Sequence, residues 1–122
     1  MMNLQVETRL SNQLERFLDL TVSATKLTAA NMANIDTPGY QALGLDFGAE
    51  MRDAMQRMDA GASTRPARIR AVEGLIARPD GNNVSMDREG LQLAEEQLKF
   101  KTGVALIRLE NQRVLDAIHA DK

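Results

Sequence analysis

The chain has 122 residues, which suffices for one domain, and its 15 basic and 17 acidic residues leave a net charge of −2. There is no cysteine, so disulfides, thiolate zinc sites and cysteine nucleophiles are excluded, and the charge argues against a nucleic-acid partner. Aromatic residues make up 3% of the chain, which favours packed helices over a sandwich of strands. No apolar run approaches the about 18 residues of a membrane helix, so we expect no membrane insertion.

The first predicted element is a long helix over residues 4–35. No glycine or proline interrupts the chain from Leu4 to Asn34, and apolar residues recur there with helical spacing. A helix of this size is about 45 Å long at about 1.5 Å per residue, which is too long for a small globule to cover alone. The main stripe contains Leu10, Phe17, Leu20, Ala24 and Leu27, and Leu14, Leu18 and Val22 widen it to one side.

A turn and a short helix are predicted over residues 36–58. Pro38 and Gly39 occupy the second and third positions of a tight turn, which is the pattern of a type II turn because glycine accepts a positive φ. Asp46 is then placed to cap a helix that reaches Met58. The following residues, 59–85, contain Pro66, Pro79 and glycine-rich stretches, so they are predicted to form an irregular loop or a weak hairpin.

A second long helix is predicted over residues 86–119. Its main signal is an apolar residue at every seventh position, which indicates a seam that packs against another helix. We therefore predict an all-α fold with a single domain over residues 1–122, in which the second long helix packs against another helix. The seam contains Leu93, Phe100, Ile107 and Val114 with Val104 and Ile118 at partner positions, and a second face contains Leu91, Leu98, Ala105, Leu106, Leu109 and Leu115.

Catalysis is disfavoured by the residues present. The single histidine, His119, lies near the end of the second long helix, where a surface or capping role is expected. One histidine without cysteine cannot form a catalytic triad or a histidine-based metal site, and no phosphate-binding glycine loop is present. We therefore predict that the protein is not an enzyme and has no metal or other cofactor.

The middle segment carries a basic cluster of four arginines. It has no interleaved aromatic residue for base stacking, so a solvated loop or a patch that docks onto an acidic neighbour is favoured over nucleic-acid binding. The cluster consists of Arg65, Arg68, Arg70 and Arg78.

A ten-residue segment from Asn31 to Tyr40 spans the end of the first helix and the turn after it, and it resembles the signature of bacterial flagellar axial proteins, the rod and hook family. The segment from Asp80 to Phe100 is also similar to the C-terminal segment of proximal rod members of that family. Gln41 departs from the family pattern, in which a basic residue is frequent. The matching motif positions are Ala30, Asn31, Met32, Ala33, Asn34, Thr37, Pro38, Gly39, Tyr40 and the later Phe47.

The resemblance implies a structural subunit of the proximal rod in the periplasmic part of the basal body, whose long N- and C-terminal helices pair in a coiled-coil-like rod-type domain. It further implies type III export without a cleaved signal peptide, and Met1 to Gln5 show neither a basic nor an apolar signal region. The implied partners are other copies of the chain, the rod-base adaptor FliE and the adjacent rod protein FlgC, with the MS ring and the export gate nearby.

The residue pattern suggests how such a subunit assembles. The predicted seam of the second helix would meet Leu10, Phe17, Leu20 and Leu27 within one subunit. Neighbouring subunits would cover the remaining apolar residues, namely Leu14, Leu18, Val22, Leu98, Leu109 and Leu115. Two alternatives stay open at this point. A chaperone or adaptor of a secretion system would be a stable folded dimer, and a small enzyme would lose turnover when one carboxylate is changed.

Overall fold

The computed structural model describes residues 8–120 as three helices and a two-stranded ribbon, which confirms the predicted all-α class. The helices are α1 at Arg9–Ala33, α2 at Phe47–Asp59 and α3 at Met86–Ala120, and the strands are β1 at Leu43–Gly44 and β2 at Arg70–Ala71. The predicted helix start at Leu4 lies outside the described residues. Among residues 8–120, no helix combines the length and the apolar character that a bilayer span requires.

Local hydrogen bonds explain where α1 and α2 begin. Thr8 and Ser11 form a capping box, in which Thr8 Oγ1 accepts from the Ser11 amide at 3.0 Å and Ser11 Oγ accepts from the Thr8 amide at 3.0 Å. Asp46 caps α2 as predicted, since its carboxylate accepts from the Ala49 amide at 3.0 Å. This hydrogen bond, acting against a smaller effect of burial, lowers the pKa of Asp46.

The predicted type II turn after α1 is confirmed. The Tyr40 amide donates to the Thr37 carbonyl at 3.2 Å, and Gly39 adopts a φ of 75°. The chain therefore reverses direction directly after the first long helix, as the position of Pro38 and Gly39 indicates.

The two long helices run antiparallel, and α2 packs against α1. Phe47 of α2 meets Phe17 of α1 edge to face, with ring centroids 5.1 Å apart. Lys99 of α3 places its ammonium 4.0 Å from the centre of the Phe47 ring, a cation–π contact that joins the third helix. The buried apolar core within residues 8–120 is small and consists of Leu14, Leu20, Ala42, Ala54 and Val84.

The strand in the middle segment pairs with a strand that precedes α2 and not with another part of the middle segment. β2 pairs antiparallel with β1, with Leu43 opposite Ala71 and Gly44 opposite Arg70. A hairpin closed within residues 59–85, which the sequence analysis offers as one alternative, is therefore replaced by a ribbon with the segment that precedes α2.

Three of the four arginines of the predicted basic cluster bind acidic residues of the chain, and the fourth, Arg78, donates to backbone carbonyls. Arg68 binds the buried Glu50 of α2 with Nε at 2.9 Å, and Arg65 and Arg70 bind Asp53 and Asp46 at 3.1 and 3.3 Å. Burial opposes the charge of Glu50, but the hydrogen bonds and charge of Arg68 outweigh it and lower the pKa of this carboxyl. These ion pairs hold the middle segment against α2.

Candidate assembly interface

The buried side of α3 is a line of three glutamates and one glycine. Its members are spaced seven residues apart, so they follow one coiled-coil seam along the helix. Each glutamate is at most 5% exposed, although acidic residues are rarely buried without partners. The line, here called the polar seam, consists of Glu89, Glu96, Gly103 and Glu110.

Side chains of α1 donate hydrogen bonds to one oxygen of each of two seam glutamates. Thr28 donates its hydroxyl to Glu96, with Oγ1 2.6 Å from Oε1. One turn further along α1, Asn31 Nδ2 donates to Glu89 Oε1 at 3.2 Å. Because a buried polar group left unpaired costs about 1–3 kcal/mol, these contacts favour one register of α1 on α3 over shifted ones.

The far end of the polar seam is held at the cap of α1. Thr8 Oγ1 donates to Glu110 Oε1 at 2.9 Å, and Arg113 contacts the same carboxylate at 2.7 and 3.0 Å. The hydrogen bonds of Arg113, with that of Thr8, lower the pKa of Glu110. Thr8 thus ends its hydroxyl network on α3 while capping its own helix.

Glu96 experiences the opposite effect. Burial is the dominant influence and raises its pKa, while the hydroxyls of Thr28 and Thr25 favour the charged form less strongly and the charge of Glu89 opposes it further. The centre of the seam therefore carries a carboxylate whose charge is poorly supported by the isolated chain.

Gly103 brings the two helices into close approach. A Cβ atom at this position would lie 2.7 Å from Leu18 Cδ2 and 3.1 Å from Phe17 Cδ1. The missing side chain therefore makes the space into which two large side chains of α1 fit. Gly103 is the point in the seam where apolar contact replaces polar contact.

The prediction that the apolar heptad forms the buried side of α3 is wrong. Phe100 is 44% exposed, and the other members of its heptad are only half-buried. The reason lies in α1, whose buried face presents hydroxyls and an amide that match carboxylates better than a phenyl ring. The half-buried members of the heptad are Leu93, Ile107 and Val114, and Val104 is half-buried as well.

The predicted interface residues of α1 divide between the inside and the surface. Leu14 is 9% exposed and lies in the core, so the prediction that it faces neighbouring subunits is wrong. Leu20 is fully buried, Phe17 and Leu27 are half-buried, and Leu10 is 47% exposed. A face of α1 thus completes the subunit while Leu10 stays at its surface.

Large apolar side chains remain exposed on α3. Leu98 and Leu109 are each 67% exposed, and exposure continues to the end of the helix at Ile118. Because the polar seam already pairs α3 with α1, these apolar residues have no covering element within residues 8–120. The exposed set on α3 is Met86, Leu91, Leu98, Phe100, Leu106, Leu109, Leu115 and Ile118.

The family motif forms a hydrogen-bond network at the end of α1. Asn31 is 1% exposed, and its amide donates to the Leu43 carbonyl and to Glu89 while accepting from the Leu43 amide and the Tyr40 hydroxyl. All four hydrogen-bonding capacities of this amide are therefore used. Asn34 supports the turn from the other side, donating to Ala30 and accepting from Thr37 at 2.9 Å.

Asn82 connects the segment before α3 to this hydrogen-bond network, a role that the sequence analysis did not assign. Its amide nitrogen contacts the carbonyl oxygens of Asn34, Ile35 and Thr37 at 2.9, 3.1 and 2.8 Å. Arg78 donates to the carbonyls of Val84, at 2.7 Å, and Ile35. Hydrogen bonds thus join the family motif to the segment that leads into α3.

Two signals for these contacts were present in the sequence. The spacing of Glu89, Glu96 and Glu110 in multiples of seven is visible without a structure, and so is the pair Asn82 and Asn83 before the helix. Of the adjacent carboxylates Glu95 and Glu96, Glu95 is exposed and Glu96 is buried.

Three features define a helical axial protein of the kind that the motif predicts. They are the paired terminal helices, the hydrogen-bond network of the motif and the exposed apolar residues of α3. Known proteins of this kind cover most of the chain. The flagellar basal body rod protein FlgB of Salmonella typhimurium (strain LT2) is 35% identical, and the match covers 74% of this chain and 78% of the relative. FlgB of Escherichia coli (strain K12) is 31% identical, with the same two shares of 74% and 78%. FlgB of Cereibacter sphaeroides is 32% identical, and the match covers 85% of this chain and 89% of the relative.

No family model matches the chain. On the identity and coverage of these relatives, the chain belongs to the FlgB family of flagellar basal body rod proteins.

Proposed function

We propose that this chain is a structural subunit of the flagellar basal body rod and polymerises through its two terminal helices. The observation that carries this proposal is the division of labour on α3. One side pairs with α1 through polar contacts, and the remaining surface keeps large apolar side chains such as Leu98 and Leu109 exposed.

Burial of these side chains by neighbouring subunits supplies the free energy of assembly. Each aliphatic side chain that becomes fully buried contributes about 1.5–3 kcal/mol. Contacts between two different surfaces of the subunit do not close on themselves and generate a helical filament, which is the form that a rod requires. The proposed role is structural and involves no catalysis.

The position within the rod is the second part of the proposal. The chain occupies the proximal end of the rod in the periplasm, next to the adaptor FliE, the rod protein FlgC and further copies of itself, near the MS ring and the export gate. It reaches this place through the flagellar export apparatus without a cleaved signal peptide. Membership of the FlgB family supports this placement.

Deletion of the gene, followed by electron cryotomography of basal bodies, tests the proposal. We expect membrane rings without a rod and a non-motile strain. A complementing copy carrying Leu98→Asp and Leu109→Asp should leave this defect, since two charges would lie in the assembly contacts. A copy carrying His119→Ala, whose side chain is exposed, should restore motility.

Two results would rule the proposal out. One is an intact rod in the deletion strain, and the other is normal motility of the doubly substituted strain. A purified wild-type chain that stays a stable dimer at every concentration would point to a secretion chaperone instead.

A further inference from the structure

A cavity of about 390 Å³ lies between α1, α3 and the β-ribbon. Leu27, Leu43 and Val72 contribute apolar walls, and Glu89 and Glu96 of the polar seam line the same space. Two carboxylates that face α1 therefore also border a cavity large enough for an arginine or lysine side chain.

Each of these two carboxylates retains one oxygen without a partner. Within residues 8–120, Glu89 Oε2 and Glu96 Oε2 are buried and accept no hydrogen bond. The residues themselves are 1% and 5% exposed. An ionised carboxylate can only accept hydrogen bonds, so the group that completes this site must be a donor, and a cationic donor makes the strongest contact.

The basic residues of the cavity are already committed. Arg88 binds Glu89 at 2.7 Å and Arg70 binds Asp46 at 3.3 Å. Glu96 makes no ion pair within residues 8–120, and its Oε1 receives the hydroxyl of Thr28. Glu96 is therefore the buried carboxylate of the cavity that lacks a cation, whereas Glu73, which also lines the cavity, is exposed.

A metal ion is a poor fit to the same place. In the described part of the chain, no three carboxylate or imidazole groups come together in an arrangement that could hold a metal ion. Apolar walls combined with one unpaired carboxylate suit the aliphatic stem and charged head of a basic side chain.

We propose that this cavity receives an arginine or lysine side chain from a second copy of the chain, with Glu96 as its main partner. The inference rests on the proposed rod function, since a second copy meets this cavity only in an assembly.

The outer side of α3 supplies suitable donors. Lys101 and Arg108 are exposed and make no ion pair within residues 8–120. They lie five residues after Glu96 and Gly103, which places them on the side of α3 away from the polar seam. A contact from this outer side into the cavity of another copy joins two different surfaces, so it propagates head to tail rather than closing a dimer.

The first test uses a photo-crosslinking amino acid in the rod assembled in cells. Placed at Gln92, which lines the cavity, it should join to a peptide of a second copy that contains Lys101 or Arg108. The same group at Leu98 probes the apolar assembly face and reports on the proposed function itself.

The two positions separate the possible failures. Crosslinks from Leu98 but none from Gln92, or crosslinks from Gln92 only to another protein, would overturn the cavity proposal and leave the rod function standing. An absence of crosslinks from both positions, in a strain that also lacks rods, would refute the rod function and the cavity proposal together.

The second test compares Glu96→Gln with Glu95→Gln in the purified full-length chain. The glutamine at position 96 can still accept from Thr28, so the isolated subunit should keep or raise its melting temperature. Its assembly concentration should rise about tenfold or more, as expected for loss of a charged hydrogen bond. Glu95 is exposed and adjacent, and its substitution should change neither quantity.

The variant Lys101→Gln with Arg108→Gln should raise the assembly concentration to a similar degree and add little in the Glu96→Gln background. An unchanged assembly concentration for Glu96→Gln, or fully additive losses in the combined variant, would refute the proposed contact.

Discussion

Thr28 and Glu96 face each other across the helix pair with their oxygens 2.6 Å apart, and their side chains are only 4% and 5% exposed. The long helices of this subunit therefore recognise each other through buried hydrogen bonds more than through an apolar seam. Hydrogen bonds of this kind set the register but contribute a modest net stability, typically about 1 kcal/mol each. The apolar residues of α3 consequently remain for contacts between subunits.

Two glutamates of the polar seam, Glu96 and Glu110, predict opposite responses to pH. The pKa of Glu96 is raised by burial above its ordinary value of 4.5, so its charge disfavours folding above that range, and the penalty fades as the pH falls through the raised pKa. The pKa of Glu110 is lowered by the hydrogen bonds of Arg113 and Thr8. Its stabilising effect is present above the ordinary value and is lost as the pH falls through the lowered pKa.

Glu96→Gln should therefore be more stable than the wild type at neutral pH, and Glu110→Gln should be less stable. Both differences should shrink in acid. Urea unfolding followed by circular dichroism between about pH 3 and about pH 8, at a concentration below assembly, measures both curves. Shifts of the same sign for the two variants at neutral pH would contradict this account of the seam.

The two glycines of α3 provide a matched pair of substitutions. Gly90→Ala meets no atom within 4 Å, so it should stabilise the subunit by about 0.5–1 kcal/mol through helix propensity alone. Gly103→Ala places a Cβ 2.7 Å from Leu18 Cδ2, and the overpacking penalty of about 1–3 kcal/mol should exceed that gain. Equal stabilisation by both variants in thermal unfolding would show that the helices do not approach closely at Gly103.

Local signals in the sequence sufficed for the helices and the turn, and the family motif sufficed for the protein class. Pro38 and Gly39 dictate their turn through φ preferences, and Asp46 dictates its cap through one hydrogen bond, so neither depends on distant residues. Apolar periodicity indicated that α3 has a partner helix but not which side meets it. That choice depends on the hydroxyls of α1, which a pattern within α3 does not contain.

The role of Asn82 was beyond the sequence for a related reason. A turn-rich run containing Asn82 is easily identified, but the three carbonyls that its amide reaches belong to residues more than 40 positions earlier. Pairings at this separation follow from the tertiary fold and leave no periodic trace. The same holds for Glu50 and Arg68, which join α2 to the middle segment.

Asn82→Asp tests the hydrogen bonds that connect the segment before α3 to the family motif. The substitution is nearly isosteric, but it replaces an amide donor by an oxygen that faces the carbonyls of Asn34, Ile35 and Thr37. Because Asn82 is fully buried, we expect a loss of at least about 2 kcal/mol in the free energy of unfolding. Asn111→Asp, at an exposed position of α3, is the control and should change stability by less than about 0.5 kcal/mol. A similarly small effect at position 82 would show that these hydrogen bonds contribute little to the free energy of unfolding.

Substitution of Phe100 separates stability of the subunit from assembly. Phe100 is 44% exposed, so Phe100→Asp should leave the unfolding of the dilute subunit within about 1 kcal/mol of the wild type. Leu20→Asp, at a fully buried position, should unfold the helix pair because it places a charge in the core. Circular dichroism measures the first property, and sedimentation velocity at rising concentration measures assembly. We expect Phe100→Asp to fold but to assemble poorly, since its ring belongs to the exposed apolar set of α3. A Phe100→Asp chain that loses its helices when dilute would restore this residue to the interior of the helix pair, whereas one that folds and assembles normally would place the contacts between subunits elsewhere on α3.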